Sequence, residues 1–125
     1  GYQAAVLAEL CKQVYTIERL AALSERAKKL LQGLGYSNIE YMIGDGTEGY
    51  IQAAPYHGII VTAACPDIPQ PLVDQLAEGG RLVIPVGEKH LQTLMLVTKE
   101  KGKIRTEGSL GCVFVPLIGR YGWKS

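Results

Sequence analysis

The sequence predicts an α/β protein, a doubly wound and mainly parallel sheet with an antiparallel hairpin near its C-terminal end. Three observations predict it. Helical and strand patterns alternate along the first part of the chain, which argues for parallel strands joined by right-handed crossovers. Gly58-Ile59-Ile60-Val61-Thr62 is almost continuously apolar, the character of a strand buried on both faces. Beyond Gly87 strand follows strand around Glu100-Lys101-Gly102, a Gly-containing hairpin signal.

Taken in order, Gln3 to Cys11 is rich in Ala and Leu at helical spacing and predicts a helix. Val14-Tyr15-Thr16-Ile17 is β-branched and aromatic and predicts a short strand ending at Glu18. Leu20 to Leu34 predicts a second helix, with Leu20, Leu23, Ala27, Leu30, Leu31 and Leu34 on one face and Gly35 as its stop. Asn38 to Ile43 predicts a strand running into the turn Gly44-Asp45-Gly46, and Pro55 closes a polar connection before the Gly58 strand. Pro69 and Pro71 open a helix predicted to run to about Ala77, closed by Gly79-Gly80. Arg81 to Val86 predicts the next strand, Leu91 to Lys99 and Lys103 to Glu107 the hairpin, and Leu110 to Leu117 a last strand.

The chain of 125 residues is long enough for one domain with a core, so residues 1–125 are expected to form a single domain. Its 13 Lys and Arg against 12 Asp and Glu leave a net charge of +1, which gives no electrostatic reason to expect a nucleic-acid or membrane partner. No apolar run approaches a membrane span, and Gly1-Tyr2-Gln3 does not resemble a signal peptide. Opening on Gly rather than Met, the chain is expected to be a fragment or a processed form. Cys11, Cys65 and Cys112 are odd in number and lack C-x-x-C spacing, and His57 and His90 stand at no ligand spacing to one another or to a cysteine. The expectation is therefore no disulfide, no metal, and a reducing cytoplasmic setting.

In open α/β sheets, ligands bind beyond the carboxyl ends of the strands. Glu18 follows the first strand, where an acid can accept hydrogen bonds from two ribose hydroxyls, although a solvated carboxylate is the commoner meaning of one such residue. Gly44-Asp45-Gly46 follows the next strand; its glycines allow close approach of a flat ligand and Asp45 can accept from an exocyclic amine, while a plain turn is again the commoner meaning. Thr62-Ala63-Ala64 follows the buried strand with small side chains that leave room for a ligand or simply pack. Recurrence at successive strand ends makes a nucleoside-binding edge.

Here the sequence resembles the protein-L-isoaspartate O-methyltransferases. The resemblance is carried by Gly1-Tyr2-Gln3-Ala4-Ala5, Ile17-Glu18-Arg19, Gly44-Asp45-Gly46, Ala54-Pro55-Tyr56 leading into Ile59 to Ala64, and Gly79 to Gly87. Its most family-specific piece is the ending Phe114-Val115-Pro116-Leu117-Ile118-Gly119 with Gly122-Trp123. The resemblance implies a Rossmann-like class I methyltransferase sheet that binds S-adenosylmethionine. It implies that Gly1 is the last glycine of the cofactor loop, that Glu18 binds the ribose with Arg19 beside it, and that Asp45 and Gly46 hold the adenine. Thr62 to Ala64 would floor the site, and Leu117, Ile118 and Gly119 would lie near the peptide. The implied reaction moves a methyl group to the free carboxylate of an isoaspartyl residue, so that the ester closes to a succinimide and hydrolyses to aspartate. A carboxylate of pKa about 4 is already ionised at neutral pH, so no general base is required.

Two departures stand out. The family has an acid where this chain has His57, to which no role is given. The family also carries an N-terminal portion, with the first, central strand and a Ser/Thr-containing segment that contacts the methyl acceptor, which has no counterpart in these residues; no catalytic residue is therefore assigned. In the family's sheet that strand lies between the strands ending at Glu18 and Thr62, so the chain alone is expected to be destabilised or to self-associate. The rival readings are a class I methyltransferase with another acceptor and a catalytically incomplete chain that binds only a nucleoside or a partner. An NAD-linked dehydrogenase is disfavoured by the lack of a complete G-x-G-x-x-G.

Overall fold

The computed structural model describes residues 1–124 and opens on α1 (Tyr2–Leu10), followed by β1 (Val14–Glu18), α2 (Ala21–Gly33) and β2 (Ile39–Ile43). These elements make up a first compact unit, Gly1–Gly46. β1 and β2 pair in parallel, from Val14 opposite Ile39 to Glu18 opposite Ile43. Parallel neighbours need a crossover, and α2 supplies it. Ala4 and Ala8 of α1, Val14 of β1, Leu31 of α2 and Ile39 of β2 form the buried core.

The apolar face predicted for α2 divides. Leu31 is buried, whereas Leu20, Leu23, Leu30 and Leu34 are exposed. The helix packs instead through a line of small residues and Leu31: Ser24 is buried, and a Cβ placed on Gly1 would lie 3.3 Å from the Ala27 Cβ. Residues at 24, 27 and 31 share one side of a helix by its 3.6-residue repeat, and their small side chains let the start of α1 approach closely. Asn38 ties the unit together, its side-chain amide donating to the Ala8 and Cys11 carbonyls at 2.9 and 3.0 Å. Those carbonyls stand at the end of α1, where intrahelical donors run out. The Tyr36 hydroxyl donates to Glu9 at 2.8 Å, and that hydrogen bond raises the Tyr36 phenol above its ordinary pKa.

From Thr47 onward the chain forms the second unit. It contains β3 (Tyr56–Ile60), α3 (Gln70–Asp74), β4 (Leu76–Glu88), β5 (Leu91–Glu100) and β6 (Lys103–Cys112). The four strands lie in the order β3-β4-β5-β6, with β3 parallel to β4 and the rest antiparallel. Leu72, Val73, Leu76, Leu82, Ile84, Val97 and Cys65 form its core.

Three boundaries differ from the sequence reading. The helix expected to reach Ala77 ends at Asp74, because Leu76 and Ala77 already belong to β4 and are buried there. The apolar strand begins at Tyr56 rather than Gly58, since the Tyr56 N–H donates to the Gln75 carbonyl at 2.8 Å. The strand expected from Leu110 to Leu117 does not form. Leu110 to Cys112 instead complete β6, whose pairing with β5 slips between Thr93 and Met95. Such a slip is a β-bulge, and Gly108 is suited to it, since a Cβ there would meet the Thr93 methyl at 3.1 Å.

The hairpin turn lies where the sequence predicts, although its second strand runs on past Glu107 to Cys112. Lys101 and Gly102 both take positive φ, 51° and 73°, the pattern of a two-residue turn matched to strand twist. Glu78 of β4 caps this turn: its carboxylate accepts from the Lys101 N–H and, at 3.1 Å, from the Gly102 N–H.

Two outcomes test this packing. Leu82→Ala removes a side chain that is 0% exposed, and is expected to cost about 2–5 kcal/mol in urea denaturation. Glu78→Ala is expected to speed amide exchange at Lys101 and Gly102 while leaving the β4 core amides protected, which hydrogen exchange reads residue by residue.

Candidate functional site

The carboxyl end of the β1–β2 pair is where the first unit's chemistry collects. The ladder runs to its last residue, where the Gly44 N–H donates to the Glu18 carbonyl at 3.0 Å. Glu18 and the turn Gly44-Asp45-Gly46 therefore leave the same edge of one sheet. Glu18 is half-buried, and its Oε1 accepts from the Leu20 N–H at 3.1 Å. That amide stands at the N-terminus of α2, which has no side-chain cap of its own at Leu20. An anionic group is favoured at such a terminus by the helix dipole and the unsatisfied N–H groups. One carboxylate oxygen is thus fixed by the fold.

Next to Glu18 is a hollow of about 60 Å³, lined by Gly1, Ala4, Thr16, Glu18, Leu23, Ser24, Ala27 and Tyr41. It takes in two of the predicted cofactor residues, Gly1 and Glu18. Arg19 is exposed and takes no part in the lining, and neither do Asp45 and Gly46. The sequence reading missed Ser24 and Tyr41. Ser24 looked like a helix surface residue and Tyr41 like an ordinary strand residue; only the parallel register, which sets Tyr41 opposite Thr16, brings them together. The Tyr41 Oη is buried without a protein partner, and burial pushes its phenol pKa up.

In the second unit the predicted floor and the predicted peptide segment meet. The chain after β3 runs past exposed Thr62 to Ala64, which is fully buried. The Ala64 N–H donates to the Val115 carbonyl and the Leu117 N–H donates to the Ala64 carbonyl, both at 2.7 Å. The segment around Leu117 is therefore bound to the strand-end residues rather than to a strand of its own. Pro116 has no N–H to give, and this single bridge needs none from it. Beyond it, Leu117 to Trp123 close a tight loop: the Gly119 N–H donates to the Trp123 carbonyl at 3.0 Å and the Trp123 N–H to the Leu117 carbonyl at 2.8 Å. Gly122 makes that closure possible, since a Cβ there would lie 2.4 Å from the Leu117 carbonyl oxygen.

Three polar side chains, none singled out by the sequence, hold this region. Buried Gln92 accepts from the Phe114 N–H at 2.7 Å and donates to the Glu88 carbonyl at 2.6 Å. Buried Thr47 accepts from the Tyr121 N–H at 3.2 Å. Buried Gln75 accepts from the Tyr50 N–H and donates to the Glu48 carbonyl, both at 2.9 Å. Cys65, also buried, donates to the Tyr121 carbonyl at 3.3 Å, and desolvation raises its thiol pKa. A protonated, buried thiol of that kind is a packing residue rather than a nucleophile. Among the described residues no helix is long and apolar enough to cross a membrane.

Comparison with known proteins places the chain in a family. A relative from Geotalea uraniireducens, protein-L-isoaspartate O-methyltransferase 2, is 57% identical over 99% of this chain. The protein-L-isoaspartate O-methyltransferase of Dictyoglomus turgidum is 55% identical, again over 99% of the chain. The chain spans 58% and 56% of the length of these two relatives. A solved protein-L-isoaspartate O-methyltransferase superposes with a TM-score of 0.89 at 30% identity, over 98% of this chain and 40% of its own. A candidate protein-L-isoaspartate O-methyltransferase from Plasmodium falciparum, solved in complex with S-adenosyl-L-homocysteine, gives a TM-score of 0.74 at 26% identity, over 85% of this chain and 52% of its own. The family profile described as protein-L-isoaspartate(D-aspartate) O-methyltransferase matches residues 1–122, and the chain belongs to that family.

Proposed function

We propose that this chain forms the nucleoside-binding part of a protein-L-isoaspartate O-methyltransferase, which moves methyl from S-adenosylmethionine to the free carboxylate of isoaspartyl residues in damaged proteins. The observation that carries the reading is Glu18, held by the Leu20 amide at the end of a parallel strand beside a small polar hollow, in a chain matched by the family over residues 1–122. The residues suit the cofactor's ribose end. Glu18 keeps a second oxygen for a hydroxyl. Asp45 and Gly46, on the adjoining turn, serve the adenine, with Arg19 at the rim.

Bound S-adenosylmethionine supplies a methyl group made electrophilic by its sulfonium. What remains for the protein is alignment, since the acceptor carboxylate is already charged at neutral pH. Correct placement of reacting groups contributes roughly 7–11 kcal/mol in well-oriented systems. Leu117, Ile118 and Gly119 present the peptide, and Gln92, Ala64 and Thr47 hold the stretch that contains them. The partners are isoaspartyl peptides and proteins. Among the described residues β1 has a strand neighbour only in β2, and β3 only in β4, so edges remain for association with further chain, including self-association.

A second reading has its own support. The chain spans 58% of the Geotalea relative's length, so it can bind the nucleoside without completing the transfer. Calorimetry with S-adenosylhomocysteine alongside a methylation assay on an isoaspartyl peptide and its aspartyl twin separates the two. The repair reading expects binding plus methylation of the isoaspartyl peptide alone, and absence of binding would sink both.

Two variants sharpen this. Glu18→Gln is expected to weaken S-adenosylhomocysteine roughly 10- to 100-fold, the scale of a hydrogen bond to a charged group. Gln92→Leu is expected to lower kcat/KM for the isoaspartyl peptide about tenfold or more through misplacement of the 114–119 segment, with S-adenosylhomocysteine affinity unchanged. Equal losses of binding and turnover in Gln92→Leu would count against the division of roles.

A further inference from the structure

β6 ends one side of the four-stranded sheet, and among the described residues no strand pairs with its outer edge. Its residues from Lys103 to Gly111 are all exposed. Edge strands in proteins are usually short, bent or covered, because a row of open N–H and C=O groups invites another strand. The hairpin decides which groups those are. A two-residue turn makes its flanking residues, Glu100 and Lys103, a hydrogen-bonded pair, and bonded and non-bonded pairs then alternate along the ladder. Lys103, Arg105 and Glu107 therefore turn their backbone groups toward Glu100, Thr98 and Leu96 of β5. Ile104, Thr106 and Gly108 turn theirs outward, in a run that stays regular because the bulge comes only beyond Gly108.

Side chains decide what this edge accepts. Arg105 and Glu107 share one face of the strand by its two-residue alternation, with Thr106 between them. When two copies pair antiparallel about a two-fold axis, the register is set by the residue on the axis. An axis between residues sets outward backbone groups against inward ones. With the axis on Thr106, Arg105 of each copy faces Glu107 of the other, in the non-hydrogen-bonded pairs where side chains approach closest. Thr106 then faces Thr106 and Ile104 faces Gly108, in narrow pairs that each exchange two N–H···O bonds. Ile104, 44% exposed, thus lies over a residue with no side chain of its own. An axis on Ile104 sets Lys103 against Arg105. One on Arg105 sets that residue against itself, although Lys103 then meets Glu107, and one on Glu107 opposes two carboxylates. An axis on Gly108 runs into the bulge. Charges on an edge ordinarily deter pairing, and this order of charges deters it in every register but one.

We infer that β6 is an association edge for a second copy of this chain, paired antiparallel with Thr106 on the two-fold axis, so that two four-stranded sheets join into one. The inference stands apart from the nucleoside reading and uses an edge other than those of β1 and β3. Attraction comes from the outward backbone groups and from Ile104. Arg105 and Glu107 contribute the register more than the strength, since exposed ion pairs stabilise little.

The test is sedimentation equilibrium of the full chain and of Arg105→Glu, Glu107→Arg and Thr106→Pro, with a thermal melt of each. The parent is expected to dimerise. Arg105→Glu and Glu107→Arg are each expected to weaken the dimer about 10-fold or more, because both attractive pairs become repulsive. An equal mixture of those two variants is expected to dimerise again, since one then carries only acids at the two positions and the other only bases. No effect within a single chain produces that rescue. Thr106→Pro removes an outward N–H, spares the bonds to β5, and is expected to leave a monomer. If this variant fails to fold, the two charge variants and their mixture carry the test. A monomeric parent overturns the inference. So does a parent dimer that the charge variants leave unchanged, which would assign association to another edge, and so does a mixture that stays monomeric.

Discussion

The parallel register between β1 and β2 governs everything the first unit can do. Side chains on a strand alternate between faces, so a slip of a single residue would carry Thr16 and Tyr41 away from the helices and expose Val14 and Ile39. Burial of Val14 and Ile39 against Ala4, Ala8 and Leu31 sets the register from one end. Backbone bonds bracket it, with Val14 N–H donating to the Asn38 carbonyl at 2.8 Å and Gly44 N–H to the Glu18 carbonyl at 3.0 Å. Asn38 adds a side-chain tie to the end of α1. The position of Glu18 at the rim is thus a result of packing lower in the strand, where no functional group lies.

A different constraint organises the second unit. The stretch from Val113 to Trp123 has almost no regular structure, yet its backbone amides must still find partners where they are buried. They find them on Ala64, Gln92 and Thr47, which come from a strand end, a strand and a short turn far away in sequence. Side-chain amides do this well because one Gln both donates and accepts, replacing a missing strand neighbour. Such a loop is held at a few defined points, which suits a segment proposed to present a peptide.

Much of this was legible in the sequence, and the reasons for the rest are physical. Amphipathic spacing and β-branched runs located α1, α2, β1 and β2 to within a residue or two, and the hairpin turn with them, because those elements obey local rules. The α3–β4 boundary was misread because Pro69 and Pro71 announce a helix start but nothing local announces its end; Leu76 and Ala77 were taken into a strand by tertiary burial. Leu110 to Leu117 looked like a strand from its apolar residues, whereas Val113 and Val115 are exposed and pairing with β5 ends at Cys112. Glu18 and the Gly44-Asp45-Gly46 turn could be proposed because strand ends are predictable places. Tyr41, Ser24, Gln75 and Gln92 could not, since their roles come from partners distant in sequence, and a glutamine in a sequence reads as surface until its neighbours are known.

The division of labour that results fits the chemistry proposed. A reaction whose nucleophile is already ionised makes no demand for a tuned acid or base, so its site has to be built from orientation. Orientation in a protein comes from groups that cannot rotate: backbone amides, buried side-chain amides, and carboxylates anchored at one oxygen. Those are the groups found here, from the Leu20 amide on Glu18 to the Gln92 amide on Phe114. Both kinds of anchor are built within these residues, the one proposed for the nucleoside in the first unit and the one proposed for the peptide in the second. Tightness of nucleoside binding and efficiency of transfer should then respond to different residues, because separate hydrogen-bond sets hold the two ends.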